Sequence, residues 1–269
     1  MSIIRVNGLG FDVHVSGEKD NPGLVCIHGA GANLDQFEEQ HAYFSDAFYV
    51  VSLSLRGHGN SEHPPGPIQE TYAIRVLAQD VIQILETLNI RKTHLLGNSA
   101  GGVVGYEIVN QRPDLVRSLI TFGTTGKMAV PGFLRQVTLR VDTRNVTHEP
   151  ETRLKKLAAY TSKNPEVVSQ VYRMFMAARA GIPGLRYALG SYNYLPLIRS
   201  MEVPYYILKG TQDRDINLFL GSTLGALKDQ ATRTNLDSRI ITIPQAGHMT
   251  NLDNPREFNK RLLELVKPN

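Results

Sequence analysis

Short apolar runs alternate with longer amphipathic stretches along most of the chain. The runs GLVCIHG (residues 23–29) and FYVVSLS (48–54) are rich in β-branched residues and are bounded by turn residues, a pattern typical of strands buried on both faces. THLLG, VRSLITFG, PYYILKG and SRIITIP are four more strand candidates. In TYAIRVLAQDVIQILETLNI (71–90), apolar residues recur at helical spacing and predict one buried helix face. Asn7-Gly8 predicts a hairpin turn between the apolar runs 3–6 and 11–15.

The alternation predicts an α/β fold with a mostly parallel sheet and helices on both sides. Residues 126–200 break this pattern. They contain three helix-like stretches, beginning near Pro150, Pro165 and Pro183, and no convincing strand. We therefore predict a helical cap at 126–200, inserted into a core domain formed by 1–125 and 201–269.

Composition narrows the class of protein. The 269 residues carry a net charge of +4, which is small beside 29 basic and 25 acidic side chains, so a nucleic-acid partner has no support. The segment 126–200 alone holds 12 basic and 4 acidic residues. The single cysteine, Cys26, excludes an internal disulfide. With no leader pattern and no apolar stretch long enough for a membrane span, we expect a cytoplasmic protein with no membrane partner; its oligomeric state stays open.

The chemistry begins at Gly97-Asn98-Ser99-Ala100-Gly101, a G-x-S-x-G pattern between a predicted strand and a predicted helix. Packing glycines alone could produce the pattern. In this context, however, the tight turn exposes the Ser99 hydroxyl as a nucleophile. A serine nucleophile needs a base, and the base needs a carboxylate that orients it. TQDRD, after PYYILKG, offers Asp213 and Asp215, and the loop after SRIITIP offers His248.

Two backbone N–H groups should stabilise the developing oxyanion. One belongs to Ala100, which follows the serine, and the loop CIHGAGAN nominates that of Ala30 as the other. A dinucleotide loop at Gly29-Ala30-Gly31 is disfavoured because Leu34 stands where a further small residue is needed. His28 and His58 are expected to order loops. No metal or nucleotide motif is present, so we predict no cofactor and no metal.

The motifs HGAGAN, LRGHGNS, GNSAGG, GTQDRD and AGHMTNLDNPREF occur in an order and spacing that resemble the α/β-hydrolase fold superfamily over nearly the whole chain. The resemblance implies an eight-stranded sheet, a helical cap, and a triad of Ser99, Asp213 and His248. It favours Asp213 over Asp215 because the family's acid usually lies three residues after the glycine that ends its strand, here Gly210. Asp215 is left to cap the next segment. Ser54 replaces the Asp that commonly precedes LRGHG.

These observations predict a serine hydrolase of a small or medium carboxylic ester, thioester or lactone that works through an acyl-enzyme. One alternative is a hydrolase of carbon–carbon bonds in diketone-like ring-cleavage products, since such family members resemble the chain at its GNS.GG residues. Another is a ligand-sensing protein that keeps the triad but turns over slowly. Turnover of aryl esters, as against a single burst, separates an enzyme from a sensor.

Overall fold

The computed structural model describes residues 2–267 and contains one large twisted sheet. Its eight strands lie in the order β1-β2-β4-β3-β5-β6-β9-β10. Strand β2 runs antiparallel to both of its neighbours, and all the other pairings in this sheet are parallel. The predicted α/β class with a mostly parallel sheet is therefore confirmed. The strands are β1 (Ser2–Val6), β2 (Leu9–Ser16), β3 (Gly23–Ile27), β4 (Tyr49–Leu53), β5 (Thr93–Asn98), β6 (Val116–Phe122), β9 (Tyr205–Gly210) and β10 (Arg239–Ile243).

The hairpin predicted at Asn7-Gly8 joins β1 and β2, with Val6 paired to Leu9. Asn7 has φ 51° and Gly8 has φ 77°. Both turn residues thus lie in the left-handed region that a two-residue hairpin needs, which Asn and Gly tolerate best. The turn chemistry that predicted the hairpin is also what forms it.

Helices cover both faces of the sheet. Along β3, Val25 and Ile27 belong to the core on one face, and Leu24 and Cys26 belong to the core on the other. This alternation explains why the strand is apolar at every position. The helices outside residues 126–200 are α1 (Glu38–Phe44), α2 (Ile68–Thr71), α3 (Ile74–Thr87), α4 (Ala100–Gln111), α10 (Arg214–Phe219), α11 (Gly221–Thr234), α12 (Thr250–Asp253) and α13 (Pro255–Val266).

The segment 126–200 lies between β6 and β9 and is largely helical. It contains α5 (Gly132–Thr147), α6 (Pro150–Thr161), α7 (Pro165–Ala177), α8 (Ile182–Ala188), α9 (Leu195–Ser200) and the short strands β7 (Lys127–Ala129) and β8 (Ser191–Asn193). The prediction of three helices without a strand is wrong in its details. β7 and β8 pair antiparallel. The third predicted helix ends early because its C-terminal part forms β8.

Helix α5 was not predicted because its composition argues against it. Its sequence GFLRQVTLRVDTRNVT is rich in Val and Thr, which have only modest helix propensity. Tertiary contacts with α6 and α8 accompany the helix instead. The domain boundaries at 125/126 and 200/201 stay a prediction.

The segment 126–200 packs on the loops that follow strands of the large sheet. Phe175 of α7 and Ile182 of α8 share a buried cluster with Ala32, after β3, and with Met249 and Leu252, after β10. The segment therefore lies over the carboxyl ends of the parallel strands. Within residues 2–267, no helix is long and apolar enough to cross a membrane.

Candidate active site

Ser99 occupies the turn between β5 and α4, as the G-x-S-x-G pattern predicts. Its backbone has φ 49° and ψ −110°, a strained conformation for a residue with a side chain. The strand ends at Asn98 and the helix begins at Ala100, so a single residue makes the turn. This geometry lifts the Ser99 side chain out of both elements.

Two glycines make the turn sterically possible. A Cβ on Gly101 would lie 2.0 Å from the main-chain oxygen of Ile27 in β3, and one on Gly97 would lie 2.5 Å from the amide nitrogen of Gly102. Both contacts are with backbone, which cannot move aside. The glycines therefore allow α4 to begin directly against the sheet, so their packing role and the exposure of Ser99 are parts of one arrangement.

His248 contacts Asp213 and not Asp215. Nδ1 of the imidazole lies 2.9 Å from Oδ2 of Asp213, whose side chain is buried. Because a carboxylate only accepts hydrogen bonds, Nδ1 donates, and Nε2 is left as an acceptor. The Asp215 carboxylate accepts a hydrogen bond from the hydroxyl of Tyr160 in α6, and this raises the pKa of Tyr160. Asp215 lies inside α10, so the role suggested for it as a helix cap is wrong.

The histidine loop is held against the serine turn. A Cβ on Gly123, just after β6, would lie 2.9 Å from Cε1 of His248, so the ring rests on that backbone. The side-chain amide of Asn98 donates to the main-chain oxygens of His248, at 3.2 Å, and of Phe122, at 3.3 Å. Asn98 thus ties the residue before the serine to the residue that carries the imidazole. The sequence motifs gave Asn98 no role beyond its place in the G-x-S-x-G pattern.

One cavity of 790 Å³ contains all three predicted triad residues in its lining. Within the described part of the chain, the Ser99 hydroxyl makes no hydrogen bond, and the imidazole contacts no acceptor besides Asp213. The cavity lies between the large sheet's loops and the segment 126–200. It is lined by Ser99, Leu157, Tyr160, Thr161, Lys163, Arg186, Gln212, Asp213, Arg214, Asp215, Ile216 and His248.

The loop after β3 lies beside Ser99. A Cβ on Gly29 would come within 3.2 Å of the Ser99 Cβ, which places the loop that carries Ala30 next to the serine turn. Among residues 2–267, no protein atom accepts a hydrogen bond from the N–H of Ala30 or from that of Ala100. Ala100 is the first residue of α4, where a helix leaves its N–H groups free and its dipole favours negative charge.

His28 and His58 are buried and order the surrounding loops. His28 accepts the N–H of Leu55 through Nε2, at 2.8 Å, and its Nδ1 lies 2.7 Å from the main-chain oxygen of Gly29. Burial lowers the pKa of His28 to about 3 and that of His58 to about 4. Both rings are therefore neutral near pH 7. His28 connects the loops after β3 and β4, which is the structural role predicted for it.

A buried amide ladder connects the Ala30 loop to the His248 loop. Gln36 donates to the Asn251 side chain at 3.2 Å and accepts from the Gly29 N–H at 3.4 Å. The Asn251 amide donates in turn to Gln40 Oε1, at 2.9 Å. These residues were missed because a buried amide has no sequence pattern of its own, although Asn251 lies inside the AGHMTNLDNPREF motif.

Asp253 joins the His248 loop to the segment 126–200. Its carboxylate accepts from the N–H of Gly247, at 2.7 Å, and from the hydroxyl of Ser162, at 2.5 Å. The N–H of Lys163 also donates to it. The loop that carries His248 is therefore anchored on both the sheet side, through Asn98, and the segment side, through Asp253.

The site's other reactive groups do not form a metal or thiol centre. Within residues 2–267, no group of three His, Cys, Asp or Glu side chains is placed to hold a metal ion. Cys26 lies fully buried in β3, and burial raises the pKa of its thiol. A buried thiol with a raised pKa is a poor nucleophile.

Known proteins with similar sequences point to one family. Residues 24–261 match the sequence profile of a family described as the Alpha/beta hydrolase family. The chain is 25% identical over 254 residues to 3-oxoadipate enol-lactonase 2 of Acinetobacter baylyi, an alignment that covers 93% of this chain and 91% of that protein.

Solved structures of the same shape include two hydrolases. An enol-lactonase from Burkholderia xenovorans superimposes with a TM-score of 0.84 at 22% identity, over 99% of this chain and 100% of the other. A thermophilic esterase from Thermogutta terrifontis superimposes with a TM-score of 0.83 at 19% identity, over 99% of this chain and 98% of the other. At these identities the likeness establishes the fold.

Proposed function

Because the chain belongs to the alpha/beta hydrolase family and is an enzyme of that fold, we propose that it hydrolyses a small or medium carboxylic ester, thioester or lactone. In this proposal Ser99 is the nucleophile, His248 is the general base and Asp213 is the acid that orients it. The observation that carries the assignment is the 2.9 Å contact between Asp213 and His248 beside a strained serine turn that faces the same cavity.

The reaction begins with the serine hydroxyl. Nε2 of His248 takes the proton as Oγ of Ser99 attacks the substrate carbonyl, and Asp213 stabilises the resulting imidazolium. The carbonyl oxygen becomes an oxyanion, which accepts from the N–H groups of Ala30 and Ala100. The intermediate collapses, the imidazolium protonates the departing alkoxide, thiolate or enolate, and an acyl-Ser99 ester remains.

Water completes the cycle by the same route. His248 removes a proton from a water molecule, whose oxygen attacks the acyl carbonyl and forms a second oxyanion in the same pair of N–H groups. Collapse returns the proton to Ser99 and releases the carboxylic acid. When the substrate is a lactone, both products are parts of one molecule.

The Ser99 hydroxyl and the His248 imidazole are not hydrogen-bonded to each other, and the mechanism does not require this contact before substrate binds. Catalytic hydrogen bonds are often long in the free enzyme and shorten once substrate is bound. Asn98, Gly123 and Asp253 hold the loop that carries the imidazole beside the serine turn.

The cavity supports a substrate of limited size. Its volume of 790 Å³ lies within the range of about 300–1,000 Å³ that is usual for small-molecule sites. We also propose that residues 126–200 act as a cap, because α6 and α8 supply Tyr160 and Arg186 to the cavity wall. The relative named as an enol-lactonase supports the lactone in the proposed class.

The test is turnover with a substrate panel. 4-Nitrophenyl esters of graded acyl length, matched thioesters, simple lactones and one diketone-like ring-cleavage product are each assayed with wild type and with Ser99→Ala. We expect steady turnover of at least one ester, thioester or lactone that is lost in the variant. Turnover of the ring-cleavage product alone indicates the carbon–carbon hydrolase, and a single burst with esters indicates a slow sensor; either result contradicts the proposal.

A further inference from the structure

Positive charge is concentrated in the lining of the cavity. Lys163, Arg186 and Arg214 line it, whereas Asp215 is the one carboxylate in the lining besides the histidine's partner. The three cations come from three separate places in the chain: the loop after α6, helix α8 and the first residue of α10. Their convergence therefore does not follow from one charged helix face.

The three basic side chains differ in the contacts that they make with the rest of the protein. Lys163 donates from Nζ to the main-chain oxygen of Tyr160, at 2.7 Å. Arg186 is paired through Nε with Asp142 of α5, at 2.7 Å, which leaves its two terminal amino groups free of that contact. Asp215 is already an acceptor for the Tyr160 hydroxyl.

Arg214 is different, because its guanidinium makes no ion pair and no hydrogen bond with any of residues 2–267. It directly follows Asp213, the partner of His248, and faces the same cavity. A guanidinium presents its donors in a planar fork that matches a carboxylate, so a free one beside the reacting residues is a ready anion ligand.

We propose that the substrate carries a carboxylate in addition to its scissile carbonyl, and that Arg214 binds this carboxylate with support from the free end of Arg186. This inference rests on the proposed function and specifies its substrate class. The ester or lactone bond lies at Ser99, and the second, charged group points toward the mouth of the cavity. The wider segment 126–200, with its 12 basic and 4 acidic residues, attracts the anion over a longer range.

A pair of esters matched in length tests the subsite. The mono-4-nitrophenyl ester of glutaric acid carries a carboxylate, and the 4-nitrophenyl ester of glutaramic acid carries a neutral amide in its place. The leaving group is identical, and the spontaneous hydrolysis of each ester, which the free carboxylate of the acid accelerates, is subtracted from the enzymatic rate. We expect wild type to favour the acid over the amide at least about tenfold in kcat/KM, mostly through KM, with the preference shrinking as salt is added.

Arg214→Gln removes the proposed ligand and keeps a polar side chain. We expect the loss in kcat/KM to be at least fivefold larger for the acid than for the amide, and Arg186→Gln to act in the same direction with a smaller effect. Arg140→Gln is the matched control, because Arg140 is an exposed basic residue of α5 outside the cavity lining. It removes the same charge from the segment without touching the subsite.

Three outcomes overturn the inference: no preference for the acid in wild type, an equal loss for both esters in Arg214→Gln, or an effect of Arg140→Gln as large as that of Arg214→Gln. The last would assign selectivity to the overall field. Calorimetric titration with glutarate gives a readout that needs no turnover, with at least about fivefold weaker binding expected in Arg214→Gln. If no ester, thioester or lactone of the substrate panel is hydrolysed while glutarate still binds through Arg214, the proposed function fails and the carboxylate subsite stands.

Discussion

Oδ2 of Asp213 lies 2.9 Å from Nδ1 of His248, although 35 positions of sequence separate the two residues. Asp215, two positions further along, instead accepts a hydrogen bond from Tyr160. The two carboxylates share one cavity but have different partners, and this difference allows their roles to be separated experimentally.

Asparagine substitution of each aspartate is the direct comparison. Asp213→Asn keeps the shape but removes the charge and favours the wrong tautomer of His248, so kcat should fall at least about a hundredfold in a folded protein. Asp215→Asn should stay within about tenfold of wild type, because Asp215 does not contact the imidazole. Steady-state kinetics with circular dichroism of both variants checks this; the reverse ranking would transfer the orienting role to Asp215.

The strained backbone of Ser99 has a consequence for stability. At φ 49° a side chain costs about 1–3 kcal/mol, and glycine relieves that strain. We expect the free energy of unfolding of Ser99→Gly to exceed that of Ser99→Ala by about 1 kcal/mol. This difference already allows for the greater entropy of glycine in the unfolded chain. Urea denaturation of the two variants measures the difference. A more stable alanine variant would mean that the turn is not strained.

The amide ladder should matter for stability as a unit. Asn251→Leu leaves the side-chain NH2 of Gln36 and the Oε1 of Gln40 without their Asn251 partner, which should lower the free energy of unfolding by about 2–4 kcal/mol. Gln136→Leu, at an exposed amide of α5, serves as the control and should change it by less than about 1 kcal/mol. If urea denaturation gives equal losses for Asn251→Leu and Gln136→Leu, the buried ladder contributes no more to stability than an exposed amide does.

Buried neutral histidines make the fold sensitive to acid. Burial lowers the pKa of His94 from 6.5 to about 4, and that of His28 to about 3. Between these values and 6.5 the unfolded chain binds protons that the folded chain does not. The free energy of unfolding should therefore fall as pH decreases below 6.5, by at most about 1.4 kcal/mol per pH unit for each such histidine.

His94→Gln tests this away from the active site, since the His94 ring contacts Ser118 inside the sheet. Urea denaturation at pH 7, 6 and 5 should show a shallower decline for the variant than for wild type. Parallel declines would mean that His94 contributes nothing to the acid sensitivity.

Local chemistry decided which features the sequence could predict. The strands, the Asn7-Gly8 hairpin and the turn at Ser99 depend on residues that are neighbours in the chain, and each lies where its pattern indicates. Strands β7 and β8 were missed because each has three residues and pairs with a segment more than 60 positions away. Such pairing leaves no local signal.

The same distinction between local patterns and long-range contacts applies to the residues of the site. Ser99 and His248 stand out by motif, but Asp213 and Asp215 are two positions apart and point alike in an extended loop, so the residues alone left both open. Only the folded chain shows that His248 contacts Asp213 and that Tyr160 contacts Asp215. The free guanidinium of Arg214 was equally invisible, because the absence of a partner is a property of three-dimensional packing.

Ser99 is the residue proposed to form the covalent acyl-enzyme, and intact-protein mass spectrometry with a fluorophosphonate, which attaches covalently to a serine nucleophile, identifies that residue. We expect one adduct per wild-type chain, located on the peptide that contains Ser99, with activity lost in parallel. Ser99→Ala should take up no label and should lose at least about a thousandfold in kcat/KM. An adduct on another residue, or undiminished labelling of Ser99→Ala, would show that Ser99 is not the nucleophile.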